Sequence, residues 1–295
     1  MSTHVRSLSV LSVMIAFGAL IAAGFGLLSY SPVGDIPQSV VSLYGETVVL
    51  DGNGLYARDS ISCAAQARGQ DAVTLLIGVP LLLVGTYLMR KGSLHGKMLQ
   101  AGALGYMLYT YASYSYLSMY NALFLLYVVL FGLSLFAFII AFRSFEEREV
   151  ADSLKVGYPR RFLGGYLIGM GILLALMWIG RIVPALMEGT APVGIEHYTT
   201  LVIQASDLSV VVPAAIITGI LMIKQSTLGA TLGAVLFIKL ATMAMALFAM
   251  MLMMYRSGVH LATAEVIIFS VLLVIGVIAS LVMFLSVKRT GGTIQ

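Results

Sequence analysis

Apolar residues run through this chain in long stretches that no charge interrupts, and the charges fall between the stretches. Ser7 to Gly34 contains no Asp, Glu, Lys or Arg, and neither does Ala72 to Met89. Met98 to Phe142 is charge-free over 45 residues, too long for one membrane crossing, and the polar patch Ser118–Asn121 divides it into a helical hairpin. Phe162–Gly180, Leu208–Ile223, Gln225–Tyr255 and Val266–Val287 follow, the third interrupted only by Lys239. A crossing takes ~20 apolar residues at ~1.5 Å each. The pattern predicts eight transmembrane helices, near 8–29, 71–89, 98–118, 122–142, 161–183, 203–223, 227–254 and 264–287. The first run exceeds the ~7–15 residues of a signal-peptide core, so it reads as an uncleaved span.

Composition sharpens this reading. Of 295 residues, 60% are hydrophobic and 10% charged, with a mean hydropathy of +0.99. A soluble domain carries roughly 25% charged residues. A water-facing surface cannot be covered, which disfavours a soluble enzyme, a nucleic-acid reader and a disordered regulator. The fold class is therefore an all-α integral membrane protein, one domain over 1–295, with the lipid bilayer as its first partner and no nucleic acid. An N-terminus in the cytoplasm gathers Arg6, Arg90, Lys91, Lys97, Arg143, Arg148, Lys155, Arg160, Arg161, Lys224, Lys288 and Arg289 on one side, 12 of the 17 basic residues. The positive-inside rule then places both termini in the cytoplasm. Nine of the 13 acidic residues fall outside or near the outer mouth. The net charge of +4 is thus a vertical separation, basic inside and acidic outside.

Residues 31–70 form the largest external segment, a lid or cap. Thr47–Leu50, Asp51-Gly52-Asn53-Gly54 and Leu55–Arg58 read as a β-hairpin closed by the Asn-Gly turn, with a small polar helix from Ser62 leading into the second span. A weak internal similarity pairs Asp71 with Asp207, each followed by a proline (Pro80, Pro213), and Gly102 with Gly233. It suggests a parallel repeat of four plus four helices, although the gaps between paired residues are unequal.

Ionisable groups inside a bilayer are expensive and are functional candidates for that reason. Lys239 lies about 12 residues into the seventh span, too deep to snorkel. It reads either as a substrate or proton site partnered by Asp207 on the preceding helix, or as a buried structural ion pair between the two helices. Asp71 reads as the N-cap of the second span. Glu265 stands at the outer interface. The third span carries a tyrosine stripe in which Tyr106, Tyr109, Tyr116 and Tyr120 share one face, suited to lining an amphipathic cavity. The candidates for substrate binding or proton coupling are therefore Asp71, Asp207, Lys239, Tyr106, Tyr109, Tyr116 and Glu265.

No deep histidine, Walker loop, HExxH or GxSxG is present, so no cofactor, metal or catalytic site is expected. The single Cys63 forms no internal disulfide, and the methionines of the seventh span read as apolar filling. Tyr44-Gly45, Gly52-Asn53-Gly54-Leu55-Tyr56, Gly69-Gln70-Asp71 and Tyr109-Thr110-Tyr111-Ala112-Ser113-Tyr114 together resemble a group of prokaryotic multi-pass membrane proteins to which no activity is attached. That resemblance implies a cytoplasmic membrane of a bacterium or archaeon and no function. The residues themselves favour a transporter for a small molecule or ion. The competing readings are an external-facing sensor or assembly protein and a membrane enzyme acting on lipid-linked substrates.

Overall fold

The computed structural model describes residues 3–29, 38–261 and 263–288. Helix α1 (Thr3–Leu28) is followed by strands β1 (Ser39–Val41) and β2 (Thr47–Val49) and a 3-10 turn at Gly54–Tyr56. One continuous helical rod comes next, built of α2 (Ile61–Val73), a π-helical turn (Thr74–Gly78) and α3 (Val79–Arg90). Then come α4 (Leu94–Tyr116), α5 (Phe124–Arg143), the short α6 (Glu149–Ser153) and α7 (Arg160–Glu188). A second composite rod joins α8 (Val202–Ser206), a π-helical turn (Asp207–Val211) and α9 (Val212–Ile223). Helices α10 (Thr227–Arg256) and α11 (Thr263–Ser286) complete the bundle.

Seven of these rods are long and apolar enough to cross a membrane. The chain is a polytopic membrane protein on that ground. The eighth long helix, α4, is not among them, since it carries Lys97, Gln100 and five tyrosines. Protein covers it instead of lipid: Met98, Ala101, Ala103, Leu104, Tyr106 and Met107 are fully buried. A helix so enclosed satisfies its polar side chains from neighbouring helices. Two apolar cores meet along α4 and α10, one formed with α1, α2, α3 and α5, the other with α6, α7, α9 and α11.

The expected hairpin exists, but not where the Asn-Gly pair predicts it. β2 pairs antiparallel with the preceding β1, in register Ser39–Val49, Val40–Val48 and Val41–Thr47. Ser42 Oγ closes the turn by accepting from the N–H groups of Tyr44 and Glu46, both at 3.2 Å. Gly45, at φ +82°, supplies the left-handed residue that turn requires. The stretch after Asn53 cannot extend as a strand, because the Leu55 N–H donates to Ser29 Oγ at the end of α1 and Tyr56 plunges inward to 1% exposure.

Short contacts sort the loops into two ends. At one, Tyr198 bonds Asp59, and Met119 bonds Asp59 as well. At the other, Lys97 pairs with Glu149, and the backbone of Lys155 and Lys288 joins that of Ser286 and Ser153. The second end is the basic one.

The two composite rods and the helices after them are built alike, in a register of 133 residues. The π-turns begin at Thr74 and Asp207, and each places a proline (Pro80, Pro213) two residues beyond its end. Proline lacks an N–H and its ring clashes with the carbonyl four residues back, so a wider turn relieves both. Each rod ends in a residue of positive φ, Gly92 (77°) and Gln225 (60°). The next residue is an extended serine N-cap, Ser93 or Ser226, whose N–H donates to Leu88 or Leu221. Gly96 then lies against the backbone of Leu88 and Met89, as Gly229 lies against Leu221 and Met222. The acidic residues suggest a different pairing: the counterpart of Asp207 is Thr74, not Asp71, and that of Lys239 is Tyr106. Both rods run from the end where Asp59 meets Tyr198 to the basic end.

The two glycine contacts are too close for any side chain, since a Cβ would fall 2.2 Å from the Met89 nitrogen or 2.5 Å from the Leu221 carbonyl carbon. Gly96→Leu and Gly229→Leu should each lower stability by about 1–3 kcal/mol or more through overpacking. Thermal unfolding in detergent measures this, and equal melting temperatures for wild type and variants would contradict the packing.

Candidate functional site

The described part of the segment between α1 and α2 is a clamped roof over that end of the bundle. Arg68 on α2 donates to both carboxylate oxygens of Asp51, with Nη1–Oδ1 at 2.9 Å. Asp59, 3% exposed, accepts at Oδ1 from the Met119 N–H (3.0 Å) before α5 and from the Tyr198 hydroxyl (2.9 Å) before α8. His197 Nε2 lies 3.0 Å from the Arg58 carbonyl. A bidentate ion pair and these bonds tie the Asp51–Asp59 stretch to α2 and to the connections before α5 and α8.

Beneath the roof, Asp71 is not an N-cap. Ser60 caps the rod, its Oγ accepting from the Cys63 N–H, so Asp71 falls in the helix interior. Its carboxylate is 1% exposed and accepts from the hydroxyls of Tyr56 (2.6 Å) and Tyr114 (2.9 Å). Tyr111, Tyr114 and Tyr127 pack ring against ring around it. Gly26 of α1 leaves the room, since any side chain there would strike the Asp71 oxygens. One residue away, Gln70 Nε2 donates to Tyr106 Oη (2.9 Å) and Thr110 Oγ1 (2.6 Å), and Thr74 Oγ1 lies 2.9 Å from Tyr106 Oη. These two neutral-donor networks lock α2 to α4 and pin the roof above them.

The charged residues of the second half are arranged differently. Asp207 opens the second π-turn and is 7% exposed. Its Oδ1 accepts from the Tyr109 hydroxyl of α4 at 2.8 Å and its Oδ2 from Trp178 Nε1 of α7 at 2.9 Å. Lys239 of α10 is 9% exposed, and its Nζ stands over the Tyr109 ring, 4.5 Å from the centroid. The predicted Lys239–Asp207 ion pair does not form. Among the described residues the ion pairs are Arg68–Asp51, Lys97–Glu149 and Arg148–Asp152. Tyr109 instead holds an anion by its hydroxyl and a cation by its face, a use of both ends of the ring dipole.

Asp207, Lys239 and Tyr109 therefore come together, whereas Asp71 and Tyr106 belong to the sealed networks of the first half. The predicted tyrosine stripe divides. Tyr106, Tyr111 and Tyr114 face inward, Tyr109 turns toward Asp207, and Tyr116 and Tyr120 are 64% and 70% exposed. Tyr116, the last residue of α4, packs its ring against that of Phe131 at 5.6 Å. Glu265 lies in α11, and its side chain is outside the described residues. Trp178 went unforeseen. Its signal was available as the sole tryptophan of the chain, but nothing in one sequence says that α7 brings it to Asp207.

Burial lifts the Asp59 carboxyl from 3.8 to about 6, against the opposing pull of the Met119 and Tyr198 bonds. The folded roof thus holds a proton up to about pH 6 that the unfolded chain releases near 3.8. Stability should fall as pH rises through that window, because the native state binds the extra proton. Amide exchange of the roof, measured between pH 4 and 7, should show this decline. Asp59→Asn should flatten it, and an unchanged slope would contradict the assignment.

No family model, curated protein or solved structure matches this chain, so the likeness to prokaryotic multi-pass proteins stands on its sequence strings alone.

Proposed function

We propose that this chain moves a small molecule or ion across a prokaryotic cytoplasmic membrane, through a site made by Asp207, Tyr109, Trp178 and Lys239. The observation that carries this reading is a buried ammonium and a buried carboxylate that share one tyrosine without touching. A charge taken out of water is costly unless paired, and intramembrane charges left short of pairing mark substrate and ion pathways. The topology that goes with it has eight spans with α4 as a protein-enclosed crossing, both termini and the basic end in the cytoplasm, and two parallel four-helix repeats in the 133-residue register. Repeats related by an axis along the membrane normal are a known transporter plan, and the site falls in the outer half of the bundle. Between Lys239 and the basic end, Met98, Leu163, Leu167, Phe237 and Met283 pack into a layer. In this reading that layer is the closed inner gate. The clamped roof favours a second reading, an external-facing ligand sensor, which would bind without flux.

Protein reconstituted in liposomes should support uptake driven by a pH gradient or membrane potential. Lys239→Ala should reduce it at least about tenfold, a loss of ~1.4 kcal/mol or more in the site's contribution, with the melting transition retained. Uptake unchanged by the substitution would overturn the role of Lys239, and binding without uptake would favour the sensor.

A further inference from the structure

The two halves place a pair of side chains at the same two positions and treat them in opposite ways. In the first half the pair is Thr74, opening the π-turn, and Tyr106 on the following helix, and their oxygens meet at 2.9 Å. In the second half the pair is Asp207 and Lys239. Asp is longer than Thr, and Lys reaches about as far as Tyr, so this pair could close at least as well. Opposite charges also attract strongly where the dielectric is low. Nevertheless the carboxylate and the ammonium stay apart. The cause lies in the helices. α9 and α10 touch at their shared turn, where Gly229 meets Leu221 and Gly233 meets Met222. Toward the π-turn, Tyr109 from α4 and Trp178 from α7 enter and take up the Asp207 oxygens. Each charge is left facing aromatic rings and neutral donors, with no counter-ion in contact among the described residues.

We infer that this separation is the imprint of the ligand, and that the site takes a small zwitterion, its anionic group at Lys239 and its cationic group at Asp207 beside the Tyr109 hydroxyl and the Trp178 N–H. A ligand with one charge would compensate one side chain and leave the other unpaired. A ligand with both compensates each, its cationic group taking the Asp207 oxygen lone pairs that the Tyr109 hydroxyl and the Trp178 N–H leave free. This rests on the site assigned above but not on transport: the ligand class and the flux can fail separately.

Trp178 is the only tryptophan and bonds directly to Asp207, so its emission reports on the site in the intact protein. The purified chain in detergent is titrated with glycine, trimethylglycine and 4-aminobutyrate, which differ in charge separation, and with acetate and methylammonium as single-charge probes. At least one zwitterion should give a saturable change at a concentration tenfold or more below either single-charge probe. Asp207→Asn and Lys239→Met should each weaken that response at least tenfold. The double variant, which buries no isolated charge and so keeps the protein folded, should abolish it. Equal responses to acetate and the zwitterions would overturn the ligand class. So would no response to any probe, together with a double variant more stable than the wild type, because the two charges would then be a solvent-bridged structural pair. Uptake of a simple ion that depends on Lys239, with no zwitterion response, would overturn this inference and leave the transporter reading in place.

Discussion

A bilayer supplies no hydrogen-bond partners, so each polar side chain that this chain carries inward has to find its partner on another part of the protein. That constraint organises the structure more than apolar packing does, because apolar side chains are as content against lipid as against one another. The Asp71 carboxylate takes two tyrosine hydroxyls, one from the roof and one from α4, and thereby joins three parts of the chain. Gln70 bridges α2 to two residues of α4. Gln100 of α4 reaches both Ser12 of α1 and Thr86 of α3. Small residues follow from the same need: Gly26 exists where the Asp71 oxygens sit, and Gly69 lets α2 lie directly on the backbone of α10 at Met250. The least apolar long helix, α4, is consequently the best enclosed one.

Against this background the second half stands out by what it leaves incomplete. Its rods match the first half in the π-turn, the proline, the left-handed connector and the extended serine after it. Yet where the first half closes a neutral contact, the second suspends two charges around Tyr109. A π-turn opens the helical ladder locally and is often found where a helix must serve a site rather than only span a distance.

Much of this could be read along the chain. Uninterrupted apolar runs located every long helix, because crossing a bilayer demands length and lack of charge and little else. The depth of Lys239 and Asp207 singled them out for the same reason. What went astray were judgements that depend on neighbours. The Asn-Gly pair is a strong local turn signal, but docking of Tyr56 on Asp71 overrode it. Asp71 looks like a cap when the rod is taken to begin at the edge of the apolar run, and the rod begins ten residues earlier, at Ile61. Tyr116 shares a helical face with Tyr109 in projection, yet α4 meets different partners at each level, so one face is not one environment.

The sequence by itself determined that this is a helical membrane protein, roughly where its helices run and which few charges they bury, since hydropathy and charge are properties of residues taken singly. Tertiary structure alone decided which tyrosine meets which carboxylate, that Thr74 and Asp207 each open a π-turn, and that Lys239 finds an aromatic ring in place of an ion pair. Those outcomes depend on how far apart two helices stand at a given depth, a quantity set by glycine contacts, prolines and intruding side chains from other helices, which no single stretch of sequence contains.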